Sequence, residues 1–226
     1  MKLSESKIVF AIFFLFLIPK SFTLSMASVR SQINSSPTSD SLYFWKGDNL
    51  GNVFLVPKDT NVDAHKVFSI VDGVLIYDSK EQAYLRTKDE FENYKMHVEW
   101  RWATKDEKGN SGVLVHIQKP DSVWPKCMQV QLKKDNAGDL LAMSDAECEQ
   151  TIGKPKETGA KFSPSNEKPG IEWNNCDIVC AGDSVKIYVN GLLQNIGTKM
   201  NIKSGAAALQ LESRPIMFRN VYLIKQ

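Results

Sequence analysis

The sequence predicts an all-β fold, a sandwich of two antiparallel sheets of jelly-roll type. Three observations point there. Short runs of period-two alternation recur along the chain, and such alternation marks half-buried strands. Turn dipeptides such as Asp72-Gly73 and Asn190-Gly191 separate these runs at even spacing. No run outside residues 1–27 carries a long helical period. At least eight short strands so punctuated suggest a β-sandwich of jelly-roll type.

Residues 1–27 read as a removable leader. Lys2 and Lys7 form a basic start, Ile8–Ile18 an apolar run of eleven residues, and Ser25 and Ala27 a small-x-small cleavage pattern. Eleven residues are too few to span a bilayer as a helix, so a cleaved leader is preferred over an uncleaved membrane anchor, and no stable membrane insertion is expected after cleavage. Export to the periplasm or the extracellular space follows. Residues 28–41, rich in Ser, Asn, Pro and Thr, read as a disordered spacer. The folded domain is expected over residues 42–226.

Within that domain, Val67–Ile70 and Val74–Tyr77 flank Asp72-Gly73, a hairpin signal. Tyr84–Thr87 is a short strand. In Tyr94–Thr104, Tyr94, Met96, Val98, Trp100 and Trp102 share one face, and Lys95, His97, Glu99 and Arg101 the other. Two further alternating runs lie in Asn110–Lys133 around a Trp-Pro turn. The first sets Val113, Val115 and Ile117 against Leu114, His116 and Gln118. The second sets Met128, Val130 and Leu132 against Gln129, Gln131 and Lys133. Residues 153–170, with three prolines, read as a long loop. Cys176–Cys180, the run through Val189, Ala207–Leu211 and Met217–Ile224 complete the strands.

The whole chain carries +2, and residues 1–27 account for all of it. A near-neutral mature protein lacks the basic face that phosphate backbones require, which argues against nucleic acid as a partner. Four cysteines remain, Cys127, Cys148, Cys176 and Cys180. Cys176 and Cys180 lie four apart in a strand, roughly 13 Å between Cα atoms, too far for a bridge. Four buried thiols are the preferred reading over a cross-strand disulfide.

The sequence holds no nucleophile elbow, H-E-x-x-H helix, Walker loop or dinucleotide fingerprint. What remains is polar residues on strand faces: Glu99, Arg101, His116, Gln129, Gln131, Gln210 and Glu212, with Trp124 at a turn. A face bearing imidazole, amides and a nearby indole suits a polar ligand such as a sugar better than bulk solvent. Matching strand parity suggests that these residues converge on one concave face. Asp135–Asp139 offers closely spaced oxygens without an EF-hand pattern. A plain turn is the preferred reading there, and a divalent cation remains an open alternative.

The chain resembles the 3-keto-disaccharide hydrolase domain family, also described as 3-keto-glucoside lyase and 2-hydroxy-3-keto-glucal hydratase. The resemblance rests on LRTKDEFENYKMHVEWRW, GNSGVLVH, VWPKCMQVQL and NAGDL, then EWNNCDIVCAGDSVKIYVNG, ALQLES and MFRNVYL, in that order. It implies a concanavalin A-like jelly roll and an exported bacterial sugar-processing protein. It further implies cleavage of 3-keto-glycosides by elimination and hydration. No cofactor is established by the sequence, and a requirement for a divalent cation is left open. Glu99, Arg101, Asn110, His116, Gln131 and Glu212 match the family pattern, whereas Gln129 stands where the family commonly places Glu. On residue chemistry, His116 or Glu99 is the expected acid or base and Arg101 the enolate stabiliser. Asn110, Trp124, Gln129, Gln131, Gln210 and Glu212 are expected to bind substrate. The alternative reading is a noncatalytic carbohydrate-binding module, favoured by Gln129; an interaction domain without a sugar ligand is a third.

Overall fold

The computed structural model describes residues 37–105, 109–153, 158–159 and 161–226. The expected leader and residues 28–36 of the expected spacer lie outside these. The described strands are β1 (Leu42–Tyr43), β2 (Val53–Pro57), β3 (Phe68–Val71), β4 (Val74–Tyr77) and β5 (Ala83–Thr87). They continue with β6 (Tyr94–Trp102), β7 (Gly112–Ile117), β8 (Cys127–Gln131), β9 (Leu140–Met143) and β10 (Thr158–Gly159). The last are β11 (Asn174–Ala181), β12 (Ser184–Val189), β13 (Leu192–Gly197), β14 (Ala206–Leu211) and β15 (Ile216–Lys225). Among the described residues the only helical element is a 3₁₀ turn at Ala64–Lys66.

The strands form two sheets in which every named pair is antiparallel. One runs β13-β12-β11-β6-β15-β4-β3, with β1 added on β15; the other runs β10-β9-β8-β7-β14-β5-β2. The expected two-sheet sandwich is therefore present. The chain changes sheets repeatedly: β5 belongs to the second, β6 to the first, and β7 to the second again. This alternation decides which polar residues can meet.

Both predicted tight turns form. Asp72 and Gly73 take positive φ of 51° and 75°, closing Val71 onto Val74. Asn190 and Gly191 do the same at 47° and 78°, closing Val189 onto Leu192. Both central residues of a type I′ turn need that conformation, which Asp, Asn and Gly adopt at least cost.

The core is the space between the sheets. From β6, Tyr94, Met96, Val98, Trp100 and Trp102 enter it, opposite Val113, Val115, Met128, Val130, Leu209 and Leu211 of the second sheet. Burial of large aromatic and aliphatic side chains of this kind contributes about 1.5–3 kcal/mol each. All four cysteines are free and buried. Cys176 and Cys180 share the core face of β11, as four-residue spacing in a strand requires.

Candidate functional site

The outer face of the second sheet is built in register. Across one row the strands place Val56, Tyr84, Gln210, Gly112 and Gln131 side by side. The next row reads Phe54, Arg86, Ala208, Leu114, Gln129 and Leu141. Gly112 and Ala208 carry the least side-chain bulk of the two rows, and the low strip along them is a buried trough. Gln129 fills part of it by lying over Gly112, where an added Cβ would come within 2.6 Å of Nε2.

An amide relay crosses this trough. Gln131 Oε1 accepts the backbone N–H groups of Leu132 and Lys133, each at 3.0 Å. That fixes which end of the Gln131 amide faces inward. Gln129 Nε2 donates to Gln131 Oε1 at 3.5 Å and to Gln210 Oε1 at 3.1 Å. Gln210 Nε2 then donates to Glu212 Oε2 at 2.8 Å, and Gln82 Nε2 reaches the other carboxylate oxygen at 3.4 Å. Ser111 Oγ anchors the Gln210 carbonyl at 2.6 Å.

Glu212 is partly buried, and that burial raises its pKa above the ordinary glutamate value. A hydrogen bond from Asn110 and the charge of Lys58 oppose the rise without cancelling it. Asn110 is held by a backbone N–H donation to Ser213 Oγ at 3.0 Å, and its own Oδ1 is buried without a partner. The face thus gathers Asn110, Gln129, Gln131, Gln210 and Glu212 of the expected set. Gln129 and Gln210 are each only 4 % exposed. Trp124 is 43 % exposed on the β7–β8 connection, its carbonyl accepting from Ser144 Oγ at 3.0 Å.

The other end of this face is covered. Leu114, Ile117, Cys127, Ala206 and Ala208 are buried there as a small apolar cluster with Tyr84. Residues 118–126 fold back over it. Gln118 N–H bonds the Lys126 carbonyl at 2.9 Å, and Asp121 pairs with the buried Arg86 of β5. Phe54 lies under the same guanidinium at 5.3 Å.

Three expected site residues do not join the amides, which corrects the expected convergence. Glu99 and Arg101 stand on the outer face of the first sheet, on the far side of the sandwich. Their parity within β6 was right, but the connection to β7 changes sheets. Glu99 is also fully engaged there: Arg219 Nε donates to Oε2 at 2.6 Å and Asn220 Nδ2 to Oε1 at 2.8 Å. Burial favours its neutral form, yet these bonds and the Arg219 charge outweigh burial and lower its pKa.

His116 is displaced for a different reason. The β7–β14 pairing shifts register between Ala206 and Ala208, and His116 takes φ +54°. The bulge inverts parity, so Ile117 joins the outer apolar cluster while His116 turns inward. Its ring meets Tyr94 edge-on at 5.7 Å, and Nε2 lies 3.3 Å from the Glu92 carbonyl. Burial depresses its pKa, against backbone hydrogen bonds at Ile202 and Glu92 that raise it. It reaches neither the amides nor Glu212.

Sequence reasoning passed over Gln82, Ser111, Arg86 and Asp121. All five residues of β5 are buried, so AYLRT shows no alternation to mark Arg86 as special. At the 135–139 turn, Lys134 pairs with Asp135 at 2.9 Å and Lys161 with Asp139 at 3.2 Å. Among the described residues no three His, Cys, Asp or Glu side chains gather as metal ligands.

Solved structures share the fold. A provisionally named glycosyl hydrolase from Parabacteroides distasonis superposes with a TM-score of 0.59 at 23 % identity, covering 82 % of this chain and 99 % of that one. A second from the same organism gives 0.58 at 15 %, covering 90 % and 98 %. A carbohydrate-binding module from Bacillus subtilis gives 0.52 at 12 %, covering 76 % and 95 %. No curated protein matches the chain in sequence. The family model described as 3-keto-alpha-glucoside-1,2-lyase-like domain matches residues 38–224. The chain, matched over most of its length, belongs to that family.

Proposed function

We propose that the protein is exported and cleaves 3-keto-glycosides at the trough over Gly112, with Glu212 as the base. The observation that carries this reading is the Glu212 carboxylate, partly buried at the end of the amide relay. A ketone at C3 acidifies the C2 hydrogen. Glu212 takes that proton, the C1–O bond breaks as the C1=C2 bond forms, and the proton passes to the departing oxygen. Water then adds across C1=C2, for net hydrolysis. A base whose pKa is raised is a better match to this task than an ordinary surface carboxylate.

The remaining residues fit around that step. Gln131 spends its oxygen on Leu132, Lys133 and Gln129, and among the described residues its Nε2 donates to no protein group. That N–H suits the oxygen of the developing enolate. Gln129 uses only its Nε2 among the described residues, so its Oε1 could accept a sugar hydroxyl. The roles expected of His116, Glu99 and Arg101 pass to Glu212 and Gln131.

The test is incubation of a 3-keto-glucoside with the protein in deuterium oxide. Deuterium entering C2 and release of the aglycone are expected, and Glu212→Gln should lose both. A folded wild type showing neither would overturn the reading. One observation favours the second reading, a binding module on the same face: the relay ends on a single carboxylate, and position 129 carries an amide. Saturable binding by calorimetry without exchange would select it.

A further inference from the structure

We propose that Arg101 and Arg219, gathered over the Trp173 indole on the outer face of the first sheet, bind the carboxylate of a sugar acid. This site is separate from the amide trough and lies on the other side of the sandwich. The two guanidinium carbons sit 4.9 Å and 4.1 Å from the Trp173 ring centre. The β6–β15 pairing sets Met217 opposite Arg101 and Arg219 opposite Glu99, so the two arginines are diagonal neighbours on one face. Trp173, just before β11, covers them from the other side of β6.

The arginines differ in their pairing. Arg219 donates to Glu99 at 2.6 Å, as already described. Among the described residues Arg101 has no carboxylate within ion-pairing distance, and its buried Nε has no hydrogen-bond partner. A partly buried cation without a counter-charge is unfavourable unless an anion completes it. The guanidinium fork matches a planar carboxylate with two parallel N–H···O bonds, and stacking on the indole holds the fork in place.

The local charge sets the size of the anion. At the indole itself Arg101 and Arg219 supply two positive charges and Glu99 removes one, which suits one carboxylate there, with Lys46 adding a further positive charge in the adjoining depression. His97 does not alter this balance, because it bridges Asp177 at 2.6 Å and Glu99 at 3.7 Å. Space for a sugar ring adjoins. Asn220, next to Arg219, lines a depression of about 370 Å³ with Tyr43, Trp45 and Lys46. An amide and an ammonium can hydrogen-bond ring hydroxyls, and aromatic side chains pack against ring C–H groups.

The experiment is calorimetric titration of the full protein with glucuronate, glucose and acetate. Glucuronate should bind at least tenfold more tightly than glucose. Acetate binding as well as glucuronate would mean that a free organic acid suffices and would overturn the sugar-acid assignment. Arg101→Gln should weaken glucuronate at least tenfold, and Glu212→Gln should leave it unchanged. Arg101→Lys, which keeps the charge and loses the fork, should bind severalfold more weakly and guards against a misfolded glutamine variant. Glucuronate affinity that survives Arg101→Gln, or that is lost in Glu212→Gln, would sink the proposal while leaving the trough's activity to its own test.

Discussion

Gln129 donates its amide to Gln210 Oε1 at 3.1 Å, and the direction of that bond is set one residue pair away. Gln131 must keep its oxygen inward to receive Leu132 and Lys133, so position 129 must present a donor. A glutamate there can donate only while protonated. If Gln210 turned to serve an ionised residue 129, its own oxygen would face Glu212.

Gln129→Glu should therefore carry a carboxyl with a raised pKa. Below the unfolded value of about 4.3, both folded and unfolded variants are protonated and the variant matches wild type closely. As pH climbs from there through the folded pKa, the unfolded chain ionises more readily and stability falls. The expected loss near pH 7.5 is about 1–3 kcal/mol, the scale of a buried unsatisfied polar group. Thermal unfolding at pH 4 and pH 7.5 checks it; a gap between variant and wild type that ignores pH would refute the relay.

Gly112→Ala should press a methyl group into the Gln129 amide. A cost of about 1–2 kcal/mol in urea unfolding is expected, the lower part of the usual overpacking range, because Gln129 is flexible. In Gly112→Ala with Gln129→Ala the clash is gone. The double variant should then lose less than the two single losses combined, and simple additivity would count against the overlap.

Glu212→Gln should fold normally and lower turnover of a 3-keto-glucoside by about 10²–10⁴, the usual contribution of a positioned base. The wild-type rate should drop as pH falls through a value above the ordinary glutamate pKa, since the base must be ionised. A rate profile flat from pH 4 to 7 would assign the proton transfer elsewhere.

His97 and His116 should pull stability in opposite directions with pH. The Asp177 and Glu99 carboxylates overcome burial and raise the His97 pKa. Its contribution is complete below the unfolded value of about 6.5 and fades as pH rises through the folded value. His116 is depressed, so the fold favours its neutral ring; that advantage is present above about 6.5 and shrinks as pH falls. Melting temperatures of His97→Gln and His116→Gln at pH 5.5 and 8.5 should show the His97 deficit larger in acid and the His116 deficit larger in base.

Much of the sandwich could be read from residue order. Asp72-Gly73 and Asn190-Gly191 named their own turns, and β6 announced its buried face by alternation. The site was only half legible, for two separable reasons. Parity assigns a residue to one side of its strand but not to a sheet, so Glu99 and Arg101 looked like neighbours of Gln131 while standing across the core from it. A bulge leaves no mark in an alternating run, so HIQ read straight through His116. The short strand β1 depends on β15, at the far end of the chain, and the Arg86–Asp121 pair joins segments 35 residues apart.

That last pair does more than seal a few aliphatic side chains. By tying residues 118–126 across one end of the outer face, it turns what the strand order alone would make an open channel into a blind alley. A chain molecule laid along those strands at the proposed site would have to stop at residues 118–126, so the trough would have a front and a back and would orient its ligand before any hydrogen bond was made.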